Sequence, residues 1–326
     1  MSRLFDIRKY SVTVLFFLIL FYASSFFIPV ASTADPQKYY LLRDFLGFQL
    51  RVGPVSYSLG FILLALISFL VFLYYRFYTA SDSVYVAAFY ALLVCTLPVR
   101  FTFEPFLIAV LLFAVVMIFQ STLQKRDKNE ETAFMMMFLL ALSSFFFSPL
   151  TWAFLLLLPM SIYRFDNKPK ATANALLGFL FPYVMLIGGV AIFSGEESIV
   201  GLLQELWSEM TAFSICILPV KTASLIKNIL LLIVAVLALV RILSSLRAIN
   251  VVKAAFQTDM FLYLLFLTAI SVLFGDGMAQ IWMLPMIPFS ALFYMFFTER
   301  AELKKGGYAC LFLLLVLIAE RLVWVI

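Results

Sequence analysis

The sequence predicts an all-α membrane protein that crosses a lipid bilayer about ten or eleven times, with its N-terminus in the cytoplasm. Three observations predict this fold: the composition, the lengths of the apolar stretches and the positions of the basic residues. Of the 326 residues, 65% are hydrophobic and 13% are charged, whereas a soluble domain has about 45–50% apolar and about 25% charged residues. A soluble fold of this size could not bury that excess.

Apolar stretches of roughly transmembrane length follow one another along the chain. About 20 helical residues cover the hydrocarbon core of a bilayer. The first stretch lacks an obvious small-residue cleavage pattern, so we interpret it as a transmembrane helix rather than a signal peptide. Ser148-Pro149 separates two short stretches, which predicts either a tight hairpin or one long kinked helix. The stretches are 11–31, 57–78, 83–99, 102–122, 133–148, 150–164, 171–194, 218–240, 259–275, 278–298 and 306–325.

The Lys and Arg residues predict the orientation of these helices. With the N-terminus in the cytoplasm, 16 of the 23 Lys and Arg residues fall in cytoplasmic segments. This is the positive-inside pattern of cytoplasmic membranes, and we expect a multi-pass protein of the cell inner membrane. Because the basic residues cluster between apolar stretches, the net charge of +5 reflects topology, and nucleic acid is not an expected partner.

The whole chain, 1–326, is predicted to form a single integral membrane domain. Its longest connections, 32–56 and 195–217, both lie outside on this topology. Residues 198–210 predict an amphipathic helix that lies in the membrane interface with Trp207 at headgroup depth, or that packs against the protein's own outer loops. Its apolar face holds residues 199, 200, 202, 203, 206, 207 and 210, and its polar face holds Gln204, Glu205, Ser208 and Glu209.

Metal and cofactor chemistry are not expected from this composition. The chain has no histidine, and its cysteines (Cys95, Cys216 and Cys310) stand alone in apolar stretches. We therefore expect neither a zinc site built from Cys and His nor catalysis by an imidazole base. Membrane lipids are the expected partners, and the sequence names no protein partner.

One region resembles a known protein family. Ser148-Pro-Leu-Thr-Trp152 opens an apolar stretch that ends in Arg164-Phe-Asp-Asn-Lys168, and Gly178-Phe-Leu-Phe-Pro182-Tyr183 follows. This order resembles a family of multi-pass inner-membrane proteins of Bacteroidota, with a proline-containing kink, a basic cytoplasmic turn and a Gly-x-x-x-Pro-Tyr helix. The resemblance covers roughly residues 90–190. It implies location and architecture, because no activity is established for that family.

The candidate functional residues are polar groups near the outer helix ends, since such groups are costly at membrane depth. Thr151 lies beside the Ser148-Pro149 break, and Gln280 lies at the start of the tenth predicted helix. The catalytic candidates are Glu104, Asp35 and Asp44, and the substrate-binding candidates are Arg100, Arg51 and Asp276.

This arrangement is similar to that of the membrane-embedded glycosyltransferases of the C-type fold, which use polyprenyl-phosphate sugars. The resemblance implies that Asp35 or Asp44 in the first outer loop, and Glu104 between the third and fourth helices, act as carboxylates. A carboxylate can take a proton from an acceptor hydroxyl or hold a phosphate-bound metal. Arg100 or Arg51 would bind the phosphate of a polyprenyl-phosphate lipid.

Three functions remain open from the sequence. The first is a lipid-linked sugar transferase at the outer leaflet, with the outer carboxylates and arginines in one cavity. The second is a transporter or flippase, which predicts paired broken helices; one break is at Ser148-Pro149 and a second is expected at Pro285-Met-Ile-Pro288. The third is a non-catalytic scaffold or assembly factor, in which the outer charges are scattered.

Overall fold

The computed structural model describes residues 54–79, 85–95, 97, 103–122, 130–194, 196–213, 236, 240, 251–274 and 279–298. No strand occurs among these residues, and the predicted all-α fold is confirmed. The α-helices are α1 (Pro54–Thr79), α2 (Tyr85–Cys95), α3 (Pro105–Thr122), α4 (Glu131–Phe146), α5 (Ala153–Ile162), α6 (Lys168–Ser194), α7 (Glu196–Thr211), α8 (Val251–Leu273) and α9 (Met283–Thr298). Two 3₁₀ turns, Ser148–Trp152 and Ala279–Trp282, precede α5 and α9.

Within the described ranges, three helices are long and apolar enough to cross a membrane. They are Pro54–Arg76 in α1, Lys168–Ile192 in α6 and Ala255–Leu273 in α8. They have the length and composition of transmembrane helices, as expected of a membrane protein. The shorter apolar helices are Pro105–Ser121, Glu131–Phe146, Ser148–Ile162 and Gln280–Met295. The predicted helices at 11–31 and 306–325, and nearly all of 218–240, lie outside the described residues.

The break at Ser148-Pro149 is a tight hairpin, so this one of the two predicted forms is confirmed. α4 ends at Phe146, the 3₁₀ turn follows, and α5 runs back beside α4. The return is shown by Ser161 at the end of α5, whose hydroxyl oxygen lies 3.8 Å from the sulfur of Met136 in the second turn of α4. Pro149 has no backbone N–H to donate, which favours a break in the helical hydrogen-bond ladder.

The helices enclose one large apolar core to which most of them contribute. α4 packs most extensively against α6, while α3 packs against α4 and α1, and α9 packs against α8 and α2. Aromatic rings fill the contacts of α9: Phe89 meets Phe293 with ring centroids 5.0 Å apart, and Tyr75 meets Tyr294 at 5.2 Å. The short helix α2 is fully enclosed, because every residue from 86 to 94 is buried.

Gly178 sets the close approach of α6 to α4. A Cβ atom built at this position would lie 2.3 Å from the backbone oxygen of Phe134, which is far inside van der Waals contact. Small residues at helix crossings let two backbones come together in this way. Around the crossing, the Phe134 and Phe181 rings pack with centroids 6.3 Å apart. The glycine of the Gly-x-x-x-Pro-Tyr segment is therefore a packing requirement.

The rest of α6 faces outward. Only 22% of its candidate span is buried. The exposed side chains form an apolar stripe along the helix. The most exposed are Leu177 (60%), Leu180 (53%), Val184 (62%), Met185 (62%) and Ile192 (80%). An apolar surface of this extent suits contact with lipid rather than with water.

The amphipathic helix predicted at about 198–210 is α7, and it packs against α6 and the Ser148–Trp152 turn. Glu209, assigned to the polar face of this helix, is buried, at 8% exposure. Glu209 follows the half-buried Leu206 by three residues and therefore shares its packed face. Val200, Leu203 and Trp207 form an exposed apolar stripe beside that face.

Contacts between distant residues join helix ends that the predicted topology places on the same side. Glu104 meets Gln280 at one end of the bundle, and Arg164 meets Asp259 at the other. We refer to these as the Glu104 end and the Arg164 end. Which of them faces the cytoplasm stays a prediction.

Candidate functional site

Glu104 is fixed at the N-terminus of α3. Its carbonyl oxygen accepts a hydrogen bond from the backbone N–H of Leu107 at 2.9 Å, and Pro105 occupies the first helical position, which suits proline. The preceding residue is also held, since the N–H of Phe103 donates to the carbonyl oxygen of Ser56 at 2.9 Å and to its hydroxyl at 3.1 Å. A carboxylate at a helix N-terminus is favoured by the helix dipole.

Gln280 meets Glu104 from the other half of the chain. Its Nε2 donates to Oε1 of Glu104 at 2.6 Å, across a sequence separation of 176 residues. The turn that carries Gln280 is pinned to α8, because the carbonyl oxygen of Ile281 accepts from the hydroxyl of Ser271 at 3.2 Å. Both Glu104 and Gln280 are half-buried. A hydrogen bond to an ionised carboxylate is shorter and stronger than one between neutral groups. The contact joins two of the candidate residues, Glu104 and Gln280, in one polar centre.

The other predicted site residues lie outside the residues that the structure describes. These are Asp35, Asp44, Arg51, Arg100 and Asp276. Their convergence with Glu104 on one cavity therefore stays a prediction. Thr151, the remaining candidate, belongs to a different cluster.

Three hydroxyl groups meet at the break between α4 and α5. The hydroxyl of Tyr183 lies 2.6 Å from that of Ser144 and 3.2 Å from that of Thr151. Ser144 and Thr151 each also point their hydroxyl at a backbone carbonyl, of Ala141 and Ser148 respectively, both at 2.7 Å. With those two protons used, Tyr183 is the donor to Ser144. The cluster connects α6 to the break and joins two of the three segments on which the family resemblance is based.

The same turn anchors α7. The indole Nε1 of Trp152 donates to the carbonyl oxygen of Met210 at 3.1 Å. Ser148, at the start of the turn, is fully buried, and its hydroxyl has no hydrogen-bond partner among the described residues. The five-residue turn Ser148–Trp152 thus contacts α4, α6 and α7.

A buried ion pair forms the polar centre of the Arg164 end. Nη2 of Arg164 donates to Oδ2 of Asp259, and the two side chains are only 15% and 7% exposed. Arg164 is held on a turn after α5, since its N–H donates to the carbonyl oxygen of Ser161 at 3.0 Å. Asp259 lies within the candidate span of α8. The pair therefore joins the α5–α6 connection to α8.

Gln120 links this ion pair to α3 and α5. Its carbonyl oxygen accepts from Nη1 of Arg164 at 3.4 Å, and its side-chain Oε1 accepts from the hydroxyl of Ser161 at 3.2 Å. Gln120 is completely buried. Nearby on the surface, Nζ of Lys170 pairs with Oε2 of Glu130 at 3.2 Å, but the Lys170 side chain is 61% exposed. Of these two ion pairs, Arg164–Asp259 is protected from water and Lys170–Glu130 is not.

Sequence reasoning missed the ion pair because of where Asp259 falls. The predicted helix 259–275 begins at Asp259, which puts this residue at a helix boundary. In the structure α8 begins at Val251, so Asp259 lies inside the helix. A usable signal was Asp259 itself, the one acidic residue in the α8 sequence, which the apolar stretch 260–267 follows directly. A lone carboxylate within such a helix requires a partner, and Arg164 supplies it.

Within the described part of the chain, no group of three or more Cys, Asp or Glu side chains is placed to hold a metal ion. The arrangement instead offers one carboxylate beside an amide at the Glu104 end, and a matched ion pair at the Arg164 end. A comparison with models of known protein families and with curated proteins finds no match for this chain.

Proposed function

We propose that this chain is a multi-pass protein of the inner membrane, with the Glu104 end toward the outer leaflet. Three helices of transmembrane length support this proposal, as does the outward apolar stripe of α6. The excess of Lys and Arg in the connections at the Arg164 end assigns that end to the cytoplasm by the positive-inside rule.

Its proposed activity is that of a glycosyltransferase-like protein that acts on a lipid-linked substrate at the outer leaflet. The observation that carries this proposal is the 2.6 Å contact between Glu104 and Gln280. An amide that holds one carboxylate oxygen orients the group, which is the requirement for a base that must reach an acceptor hydroxyl. Asp35 or Asp44 would supply a second carboxylate. Arg100, Arg51 and Asp276 would bind the headgroup of a polyprenyl-phosphate lipid.

A transporter or flippase is the second candidate, and a specific observation favours it. Within the described residues, 3₁₀ turns precede α5 at Ser148–Trp152 and α9 at Ala279–Trp282, whereas α9 runs without interruption through residues 285–288, where the second break was expected. The helix after each turn contains a proline, Pro159 in α5 and Pro288 in α9. Paired interrupted helices in two parts of a chain are a feature of secondary transporters. A non-catalytic scaffold remains the third candidate, and it requires no such pairing.

The transferase proposal is tested by Glu104→Gln and Arg100→Ala in the native host. We expect both variants to lose a surface glycan while the protein level in the membrane is unchanged, because each removes one charge from the proposed centre. Glycan is measured by lectin or polysaccharide blotting, and protein by immunoblot. Glu130→Gln is the matched control, since it makes the same change at the opposite end of the bundle.

The outcomes separate the three candidates. Loss of glycan in Glu104→Gln and Arg100→Ala, but not in Glu130→Gln, supports the transferase. Normal glycan in all three variants removes the transferase and favours the scaffold. Purified protein in vesicles that moves a fluorescent lipid between leaflets, with intact glycan in Glu104→Gln cells, supports the flippase instead.

A further inference from the structure

The two polar centres are closer together than the two surfaces of a bilayer. Helix α3 connects them, because Glu104 lies at its N-terminus and the carbonyl oxygen of Gln120, near its C-terminus, accepts from Arg164. Glu104 and Gln120 are 16 positions apart, which corresponds to a rise of about 24 Å at 1.5 Å per residue. The hydrocarbon core of a typical bilayer is about 30 Å thick. At least one centre must therefore lie below the membrane surface.

The uncharged stretch of α6 indicates where the hydrocarbon core of the membrane lies along the bundle. Lys168 and Lys170 stand at its first turn, and Lys170 pairs with Glu130 at the Arg164 end. No charged residue follows before Ile192, where the candidate span ends. The stretch from Ala171 to Ile192 rises about 32 Å, which is the thickness of the hydrocarbon core. One membrane surface thus coincides with the Arg164 end, and the other with Ile192.

The break at Ser148–Trp152 falls well short of Ile192. The hydroxyl of Tyr183 contacts Thr151 in that turn, and helical side chains point toward the N-terminus of their helix. The break is therefore level with Tyr183 or lies on its Lys168 side. From Tyr183 to Ile192 the helix rises about 14 Å.

Glu104 shares this level. The ring of Phe106, the second residue of α3, packs edge-on against Phe147, the residue before the break, with centroids 5.2 Å apart. We infer that the Glu104–Gln280 centre and the Ser148–Trp152 turn are recessed on the order of 10 Å below the membrane surface at that end.

Helix α7 covers the recess. It starts at Glu196, beyond the end of α6, and its Met210 accepts from Trp152 in the break. It therefore returns from the membrane surface toward the recessed turn. Just beyond this C-terminal end, the ring of Phe213 lies 5.1 Å from that of Phe274, the residue after α8. The headgroup of an outer-leaflet lipid that reaches Glu104 must enter below the surface, beside or beneath α7. This depth holds for the transferase and for the flippase alike.

The test is a depth measurement with nitroxide labels on single cysteines, in protein whose Cys95, Cys216 and Cys310 are replaced by alanine. The labelled positions are Leu155, Val184 and Ile192, which are 61%, 62% and 80% exposed. In reconstituted vesicles, accessibility to oxygen and to a water-soluble nickel chelate gives the depth. We expect Ile192 near the lipid surface, Val184 about 12 Å deeper, and Leu155 at least as deep as Val184.

A label at Ile192 that reports bulk water overturns the inference, because the Glu104 end would then lie at the surface and α6 would project from it. A label at Leu155 within about one helical turn of the surface, about 5 Å, overturns it as well. If Ile192→Cys does not yield folded protein, the neighbouring exposed residue Ala191 provides the same reading.

Discussion

The Arg164 end holds its buried polar groups by matched charge, whereas the contact at the Glu104 end is between a carboxylate and a neutral amide. Arg164 and Asp259 are nearly enclosed, and each compensates the other. Glu104 is half-buried and Gln280 orients only one of its oxygens in the contact that the structure shows. The comparison separates stability from reactivity: we expect substitutions at the Arg164 end to affect folding most, and those at the Glu104 end to affect function.

The largest effect is expected from Asp259→Asn. Removing one charge from a buried pair leaves the other unmatched, which costs about 3–5 kcal/mol. Unfolding in mixed detergent and SDS micelles measures the change. The exposed pair at the same end supplies the control, since Lys170→Met should cost at most about 1 kcal/mol. The double variant Arg164→Met/Asp259→Leu should recover most of the loss, because apolar residues of similar size can replace a buried pair. Equal effects of Asp259→Asn and Lys170→Met would contradict the claim that the buried ion pair stabilises the Arg164 end.

Gly178→Ala tests the crossing that connects the two ends. The new methyl group would lie 2.3 Å from the backbone oxygen of Phe134, so α6 must move away from α4. We expect a loss of about 1–3 kcal/mol, as for overpacked cores, measured by the same unfolding assay. Gly188→Ala and Gly189→Ala make the same change in the same helix with nothing within 4 Å. These controls should change stability by less than about 0.5 kcal/mol, and a similar loss in them would remove the packing explanation.

The smallest effect is expected from Tyr183→Phe, at the break near the Glu104 end. The variant deletes the hydroxyl that contacts Ser144 and Thr151, and it keeps the ring that packs against Phe145 at 5.1 Å. Hydrogen bonds between membrane helices contribute about 0.6 kcal/mol on average, so the variant should lose less than about 2 kcal/mol. Ser144→Ala should act on the same contact. If Tyr183→Phe and Ser144→Ala are fully additive, the two hydroxyls are not coupled.

The all-α fold and the Glu104 region could be predicted because they depend on local sequence. Apolar stretches mark helices wherever they occur, and Glu104-Pro105 marks a helix start at that position. The contact between Glu104 and Gln280 could not be predicted in this way. Gln280 was a candidate residue, but local sequence does not show that two residues 176 positions apart are in contact.

The features that sequence reasoning missed depend on tertiary position. Asp259 was placed at a helix boundary, where a charge needs no partner, and Arg164 was one of several basic residues in a turn. Glu209 was assigned to the polar face of α7 from its polarity alone. In the structure its side chain is buried, because the packed face of α7 depends on the neighbouring elements. Charge and hydropathy give the boundaries of helices, but the choice of partner needs the three-dimensional arrangement.

The enclosure of α2 has a consequence for how the protein is made. The described helix has eleven residues, about 16 Å in length. Its walls are α1, which precedes it, and α9, which the ribosome completes almost 200 residues later. During synthesis α2 can therefore pack against α1 first, with the surface that later contacts α9 still exposed. Its final packing requires the C-terminal half of the chain.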